Sequence, residues 1–198
     1  MKKFLLAVIF LTVLMGCQKE KTPDLNPPKG GSVEYYYEEG EETGYGGMTP
    51  MSGPYSKPER ELEEKCNHYV VHIKDENGKV IRSVFRYKLI RQWTVSEICE
   101  DGATKITSYD EDMNFLMSDL FYYNEQNKPV RHQELNKDGS VALTEITVYL
   151  EDGMTQVSKF VYNEKGQLEL WYENTAPDYN EFTERDVKDA PEEYRTLK

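Results

Sequence analysis

The chain has 198 residues, 38% of them hydrophobic and 30% charged, with 24 basic and 36 acidic side chains and a formal net charge of −12. That length fits one domain with appended segments, and a surface this acidic argues against nucleic acid as a partner and against electrostatic capture by anionic lipid. Only the extreme N-terminus is apolar enough to meet a membrane, which excludes a multi-span protein, and 15 Tyr, 7 Phe and 2 Trp exclude a wholly disordered chain.

Met1-Lys2-Lys3 is a short positive region, followed by an apolar core from Phe4 to Met15, then Gly16-Cys17 and the polar run Gln18 to Lys21. The core is too short for a permanent transmembrane helix and suits a secretory signal. Its end, Leu14-Met15-Gly16-Cys17, resembles the lipobox of bacterial lipoprotein signal peptides. The resemblance implies a diacylglycerol on the Cys17 thiol, removal of residues 1–16, and acylation (palmitate in many such proteins) of the new N-terminus. Two or three acyl chains, at about 0.8 kcal/mol per buried methylene, anchor a chain stably. Loss of Lys2 and Lys3 takes the formal charge from −12 to −14. Gln18 stands where an Asp would resemble an inner-membrane retention signal, so the expected location is the bacterial cell envelope at the outer membrane, periplasmic or surface-facing.

Residues 17–65 read as a lipidated Cys and a flexible acidic tether. Six prolines and seven glycines break every apolar period, and Glu38, Glu39, Glu41 and Glu42 favour extension. Such a chain spans about 40 Å root-mean-square. Tyr35-Tyr36-Tyr37, Tyr45 and Tyr55 are unusual in a linker; they either dock on a partner or pack on the protein's own sheet. Pro58 to Lys65 favours one or two helical turns, with Ser56 and Glu59 placed like a capping box.

From Asn67 the pattern changes to short β-rich runs. Turn signals at Asp75–Gly78, Glu100–Gly102, Asp110–Asp112, Asn124–Lys128, Lys137–Gly139, Glu151–Gly153 and Asn163–Gly166 separate them. A bend near Leu89–Gln92 restores the rhythm across the one long gap. Strands joined by such short turns are antiparallel neighbours. The expected fold is therefore all-β: a meander of eight or nine strands over 66–173, as an open curved sheet or a partly closed barrel, with an acidic polar tail at 174–198. Ala142, Ile146, Val148 and Leu150 alternate with Glu145 and Thr147, and Phe160, Tyr162, Leu168, Leu170 and Tyr172 share one parity. That parity places Tyr172 inside and Trp171 outside. The unit Tyr123-Asn124-Glu125-Gln126-Asn127-Lys128 recurs as Tyr162-Asn163-Glu164-Lys165-Gly166-Gln167 and resembles the β-hairpin repeats of YD-repeat and MORN-like proteins. Those families use such hairpins as stacked scaffold, often without catalysis, so the resemblance implies an architecture and no site.

With Cys17 lipidated, Cys66 and Cys99 form an even pair in a non-cytoplasmic chain: either a disulfide or two separate thiols. His68 and His72 on a strand stand about 13 Å apart, too far to share one ion, and His132 stands alone. Asp110-Glu111-Asp112-Met113-Asn114 opens like a calcium loop but lacks the Gly and the closing Glu. No nucleophile elbow, phosphate loop or dinucleotide fingerprint is present. No cofactor, metal or catalytic residue is expected. The expected function is non-catalytic: an anchored β domain that binds a protein or glycan partner through Trp93, Tyr122, Tyr123, Tyr149, Trp171 and Tyr172. The second expectation is an envelope inhibitor or immunity-type protein whose acidic surface masks a basic enzyme; the third is an accessory subunit of an outer-membrane complex.

Overall fold

One turn, repeated, builds the molecule. Asp75 N–H donates to the Lys79 carbonyl (2.9 Å) and Gly78 N–H to the Asp75 carbonyl (3.1 Å); the same five-residue closure recurs from Asp110, Asn124, Asn136 and Asn163. An Asp or Asn at the first position explains itself. The Oδ1 of Asp75, Asp110, Asn124 and Asn163 each accepts two backbone N–H groups of its own turn, at 2.7–3.1 Å. The fourth position is left-handed. Gly supplies it at 78, 139 and 166, but Asn127 (φ 57°) and Met113 (φ 63°) adopt it in the other two. The expected bend near 89–92 is a tighter four-residue turn between paired Tyr87 and Gln92, closed by Arg91 N–H on the Lys88 carbonyl (3.1 Å), with Arg91 at φ 54°.

The computed structural model describes residues 21–38, 51–175 and 181–197. Among these, one antiparallel sheet of twelve strands forms, in the order β2-β1-β3 and then consecutively to β12. The strands are β1 (Ser32–Glu38), β2 (Met51–Tyr55), β3 (His68–Lys74), β4 (Val80–Tyr87), β5 (Gln92–Ile98), β6 (Thr104–Asp110), β7 (Phe115–Tyr123), β8 (Pro129–Leu135), β9 (Val141–Tyr149), β10 (Gln156–Asn163), β11 (Leu168–Asn174) and β12 (Phe182–Arg185). The sheet is open, with β2 and β12 at its edges. Nine strands fall in 68–174, as the turn rhythm predicts. No described helix is long and apolar enough to cross a membrane.

Both expected boundaries give way. Tyr35, Tyr36 and Tyr37, placed in the tether by their surroundings, pair with Val71, Val70 and Tyr69 of β3, and β1 in turn carries β2. The tether reading therefore fails for 32–38 and 51–55, because consecutive tyrosines serve both faces of an added strand. Helix α1 (Arg60–Lys65) follows; Glu59, not Ser56, is its N-cap residue, and no side chain caps it. At the other end Trp171 to Asn174 pair with Arg185 to Phe182, so the acidic tail adds β12. Tyr45 and residues 1–16, expected as a signal segment, lie outside the described residues.

Directly paired residues share a face. On face A two hydrophobic clusters form, one at each end. The first joins Tyr37, Tyr69, Val71, Ile73, Val84 and Trp93, covered by Leu25, Tyr55 and Leu62 from the N-terminal segments. The second joins Phe160, Tyr162, Leu168, Trp171 and Ala190, covered by Val187, Tyr194 and Leu197. The face expected for Trp171 is inverted. Tyr162 pairs with Leu168 but Val161 pairs with Leu170, so Glu169 is an extra, bulged residue that flips the parity of β11. Trp171 is 8% exposed and Leu170 36%.

The cysteines are free thiols, Cys66 buried and Cys99 half-buried. Topology explains this. β3 and β5 run parallel, and His68 aligns through Tyr87 with Gln92. Cys66 therefore sits near one end of the sheet and Cys99 near the other, about 20 Å along the strands, whereas a disulfide needs Cα atoms within about 7 Å.

Candidate functional site

Between the two clusters, face A changes character. On β6 to β9 it carries Thr107, Ser118, Gln133 and Thr144, all buried. The Thr107 and Ser118 hydroxyls bond each other (3.0 Å), and Gln133 Nε2 donates to Thr144 Oγ1 (3.2 Å). Pairing satisfies each group, so the polar strip is stable without an apolar layer above it. Charges on this face follow a rule. Its two strand acids, Glu97 and Glu173, are taken by Arg82 (2.7 Å) and Arg185 (3.0 Å). The remaining strand charges, Arg86, Lys105 and Arg131, are all cations. Arg86 lies over the Trp93 ring (4.7 Å) and Arg131 over Tyr122 (5.6 Å), and Nε of Arg131 is buried without a hydrogen-bond partner among the described residues. A groove of about 120 Å³ opens here, lined by Lys105, Tyr109, Phe115, Ser118, Asn136 and Lys137.

Face B is the acidic counterpart. His132 of β8 is held between two carboxylates, Nε2 to Asp119 Oδ1 (2.7 Å) and Nδ1 to Glu145 Oε1 (3.2 Å), and Glu145 is also ion-paired to Lys159. Phe121 stacks on the His132 ring at 4.5 Å. Burial tends to raise the Glu145 carboxyl, but hydrogen bonds from Lys159 and His132 outweigh it and hold its pKa below the usual carboxylate range. His68 Nδ1 meets Glu38 at 3.0 Å, and His72 Nδ1 meets the Ser83 hydroxyl at 2.9 Å, where burial pushes the His72 pKa down. No group of three His, Cys, Asp or Glu among the described residues could hold a metal ion. Asp110 spends its carboxylate closing its own turn, including a bond from the Asn114 amide (2.8 Å).

The expected aromatic surface is not one surface. Trp93 is 5% exposed and belongs to the first cluster, stacked edge-on against Tyr69; Trp171 belongs to the second. Both are corrections, since each covers its own sheet. Tyr122 is half-buried on face A and donates to Asp101 Oδ2 (3.0 Å). Tyr149 is half-buried and donates to the Pro129 carbonyl (3.1 Å), and Tyr172 is half-buried beyond the bulge. Tyr123 alone of the set is exposed, at 41%. Cys17 lies outside the described residues. The cations Lys105, Arg131 and Lys137 and the pairing of His132 were not singled out from sequence. A signal for the latter exists: His132 and Glu145 stand equidistant from the Asp138-Gly139 turn, which is where a hairpin places direct partners. No known protein family matches this chain, and no curated protein matches it.

Proposed function

We propose that this is a lipid-anchored bacterial envelope protein that presents a non-catalytic β-meander for binding a protein or glycan. The observation that carries the proposal is a sheet capped at both ends by its own terminal segments, with a polar middle that neither hydrophobic cluster of the described residues covers. The lipobox-like Leu14-Met15-Gly16-Cys17 supplies the anchor. A second reading, masking of a basic enzyme, draws on face B, where Glu34, Glu38, Asp119, Glu134, Glu145 and Glu184 outnumber Lys74 and Lys159.

The test expresses the full chain in a Gram-negative host and compares it with Cys17→Ser. The wild type should partition into the detergent phase and bring down a partner from intact envelopes. Cys17→Ser should stay uncleaved or appear in the aqueous phase. Equal detergent partition by a Cys17→Ser chain that has lost residues 1–16 would end the anchor assignment. Recovery of a basic enzyme held through face B, with nothing held through face A, would select the masking reading.

A further inference from the structure

The two faces of this sheet are electrically different, and only one is positive. We propose that the polar middle of face A binds an acidic polysaccharide, with uronate carboxylates on Lys105 and Arg131. This inference rests on the binding-scaffold reading and names its ligand class.

Lys105 pairs with Leu120, which pairs with Gln133, and Arg131 lies two residues further along β8. Two strand spacings across and two residues along put their Cα atoms about 12 Å apart. Neither has a carboxylate partner among the described residues, on a chain of net charge −12. A nucleic acid strand brings a charge about every 3.4 Å and would be repelled by the rest of the molecule. A polymer with sparse charge, one carboxylate per disaccharide, matches the spacing without the repulsion. The second element is the surface between and beside the two cations. Leu120 and the Tyr122 ring lie beside Arg131, and Tyr109 and Phe115 line the adjoining groove together with the Asn136 amide and the Lys137 ammonium. Aromatic and aliphatic area suits the C–H faces of sugar rings at low entropic cost, and amide and hydroxyl groups suit their hydroxyls. The third element is the stack of the Arg131 guanidinium on the Tyr122 ring (5.6 Å), which holds the cation in one place on this face.

The probe is hyaluronan, which carries one uronate carboxylate per disaccharide, with its methyl ester as a chemically matched neutral control, titrated calorimetrically at low salt against the full-length chain in detergent micelles. The wild type should bind the acid form at least tenfold more tightly than the ester, and added salt should weaken that binding. Lys105→Glu and Arg131→Gln should each lose at least tenfold, whereas Lys165→Glu, on the exposed β10–β11 turn outside the groove lining, should lose nothing. Thermal melting verifies the fold of each variant; should Arg131→Gln fail to fold, Lys105→Glu decides alone. Unchanged affinity in Lys105→Glu, equal loss in Lys165→Glu, or a wild type that ignores hyaluronan overturns the proposal. If envelopes nevertheless yield a protein partner, the anchored scaffold stands and only the acidic-glycan assignment falls.

Discussion

Replacing Trp171 with Ala should lower the melting temperature by roughly 10 °C, while Tyr172→Ala should change it little. Adjacent strand residues face opposite sides, and the bulge at Glu169 decides which of these two is inside. Trp171 stacks on Phe160 (6.1 Å, 7°), and Phe160 stacks in turn on Tyr194 (4.2 Å, 5°). Removing the indole leaves a void between β11 and the C-terminal segment, and a buried Trp-to-Ala change costs about 3–5 kcal/mol, equivalent to roughly 10 °C for a chain of this size. The indole N–H has no hydrogen-bond partner among the described residues, so Trp171→Phe should restore most of the loss. Differential scanning calorimetry of the three variants measures this. A Tyr172→Ala chain that melts as early as Trp171→Ala would mean that the bulge is elsewhere.

Tyr37→Ala is the second large effect, and its signature is local as well as global. Tyr37 is 1% exposed; its ring meets Tyr55 (5.8 Å) and Tyr69 (5.7 Å), and its hydroxyl oxygen accepts the Glu59 N–H (2.9 Å) at the start of α1. One side chain therefore ties β1, β2, β3 and α1 together. Its loss should cost about 3 kcal/mol or more by the logic of large-to-small core changes. Because β1 and β2 form one edge of the sheet, the weakened segment should open before the rest. Limited proteolysis of Tyr37→Ala should cleave within 51–65 well before the wild type, leaving β3 to β11 resistant. Tyr37→Phe, which keeps the ring, should show much weaker cleavage. Rapid cleavage of the wild type within β1 would mean that residues 32–38 are a tether after all.

What could be read from the sequence was turn chemistry, and what could not was anything that depends on pairing across the sheet. Asp75, Asn124 and Asn163 announce their turns because their side chains close them, so nine strands and their antiparallel order follow. The turn at Arg91 carries no Gly and shows only as an interruption of rhythm. β1 escapes notice because Tyr35-Tyr36-Tyr37 has no alternation: Tyr36 goes to face B, where its hydroxyl donates to Glu34 (2.8 Å), and its neighbours go to face A. Trp171 is misplaced because a bulge flips parity without a sequence mark. Trp93 is expected at the surface from sequence, yet its burial comes from contact with Tyr69, two strands away. The Cys66–Cys99 bridge fails on a parallel relation between β3 and β5 that follows from the meander itself. The charge division between the faces was legible in principle, since turn positions fix pairing and pairing fixes faces.

The most direct test of the account is the intact mass of the native protein extracted from envelope membranes. The account predicts a polypeptide that begins at Cys17 and carries the added mass of a diacylglyceryl group, with or without a further N-terminal acyl chain. A membrane-extracted polypeptide with unmodified Cys17, or one that begins at any other residue, would contradict it.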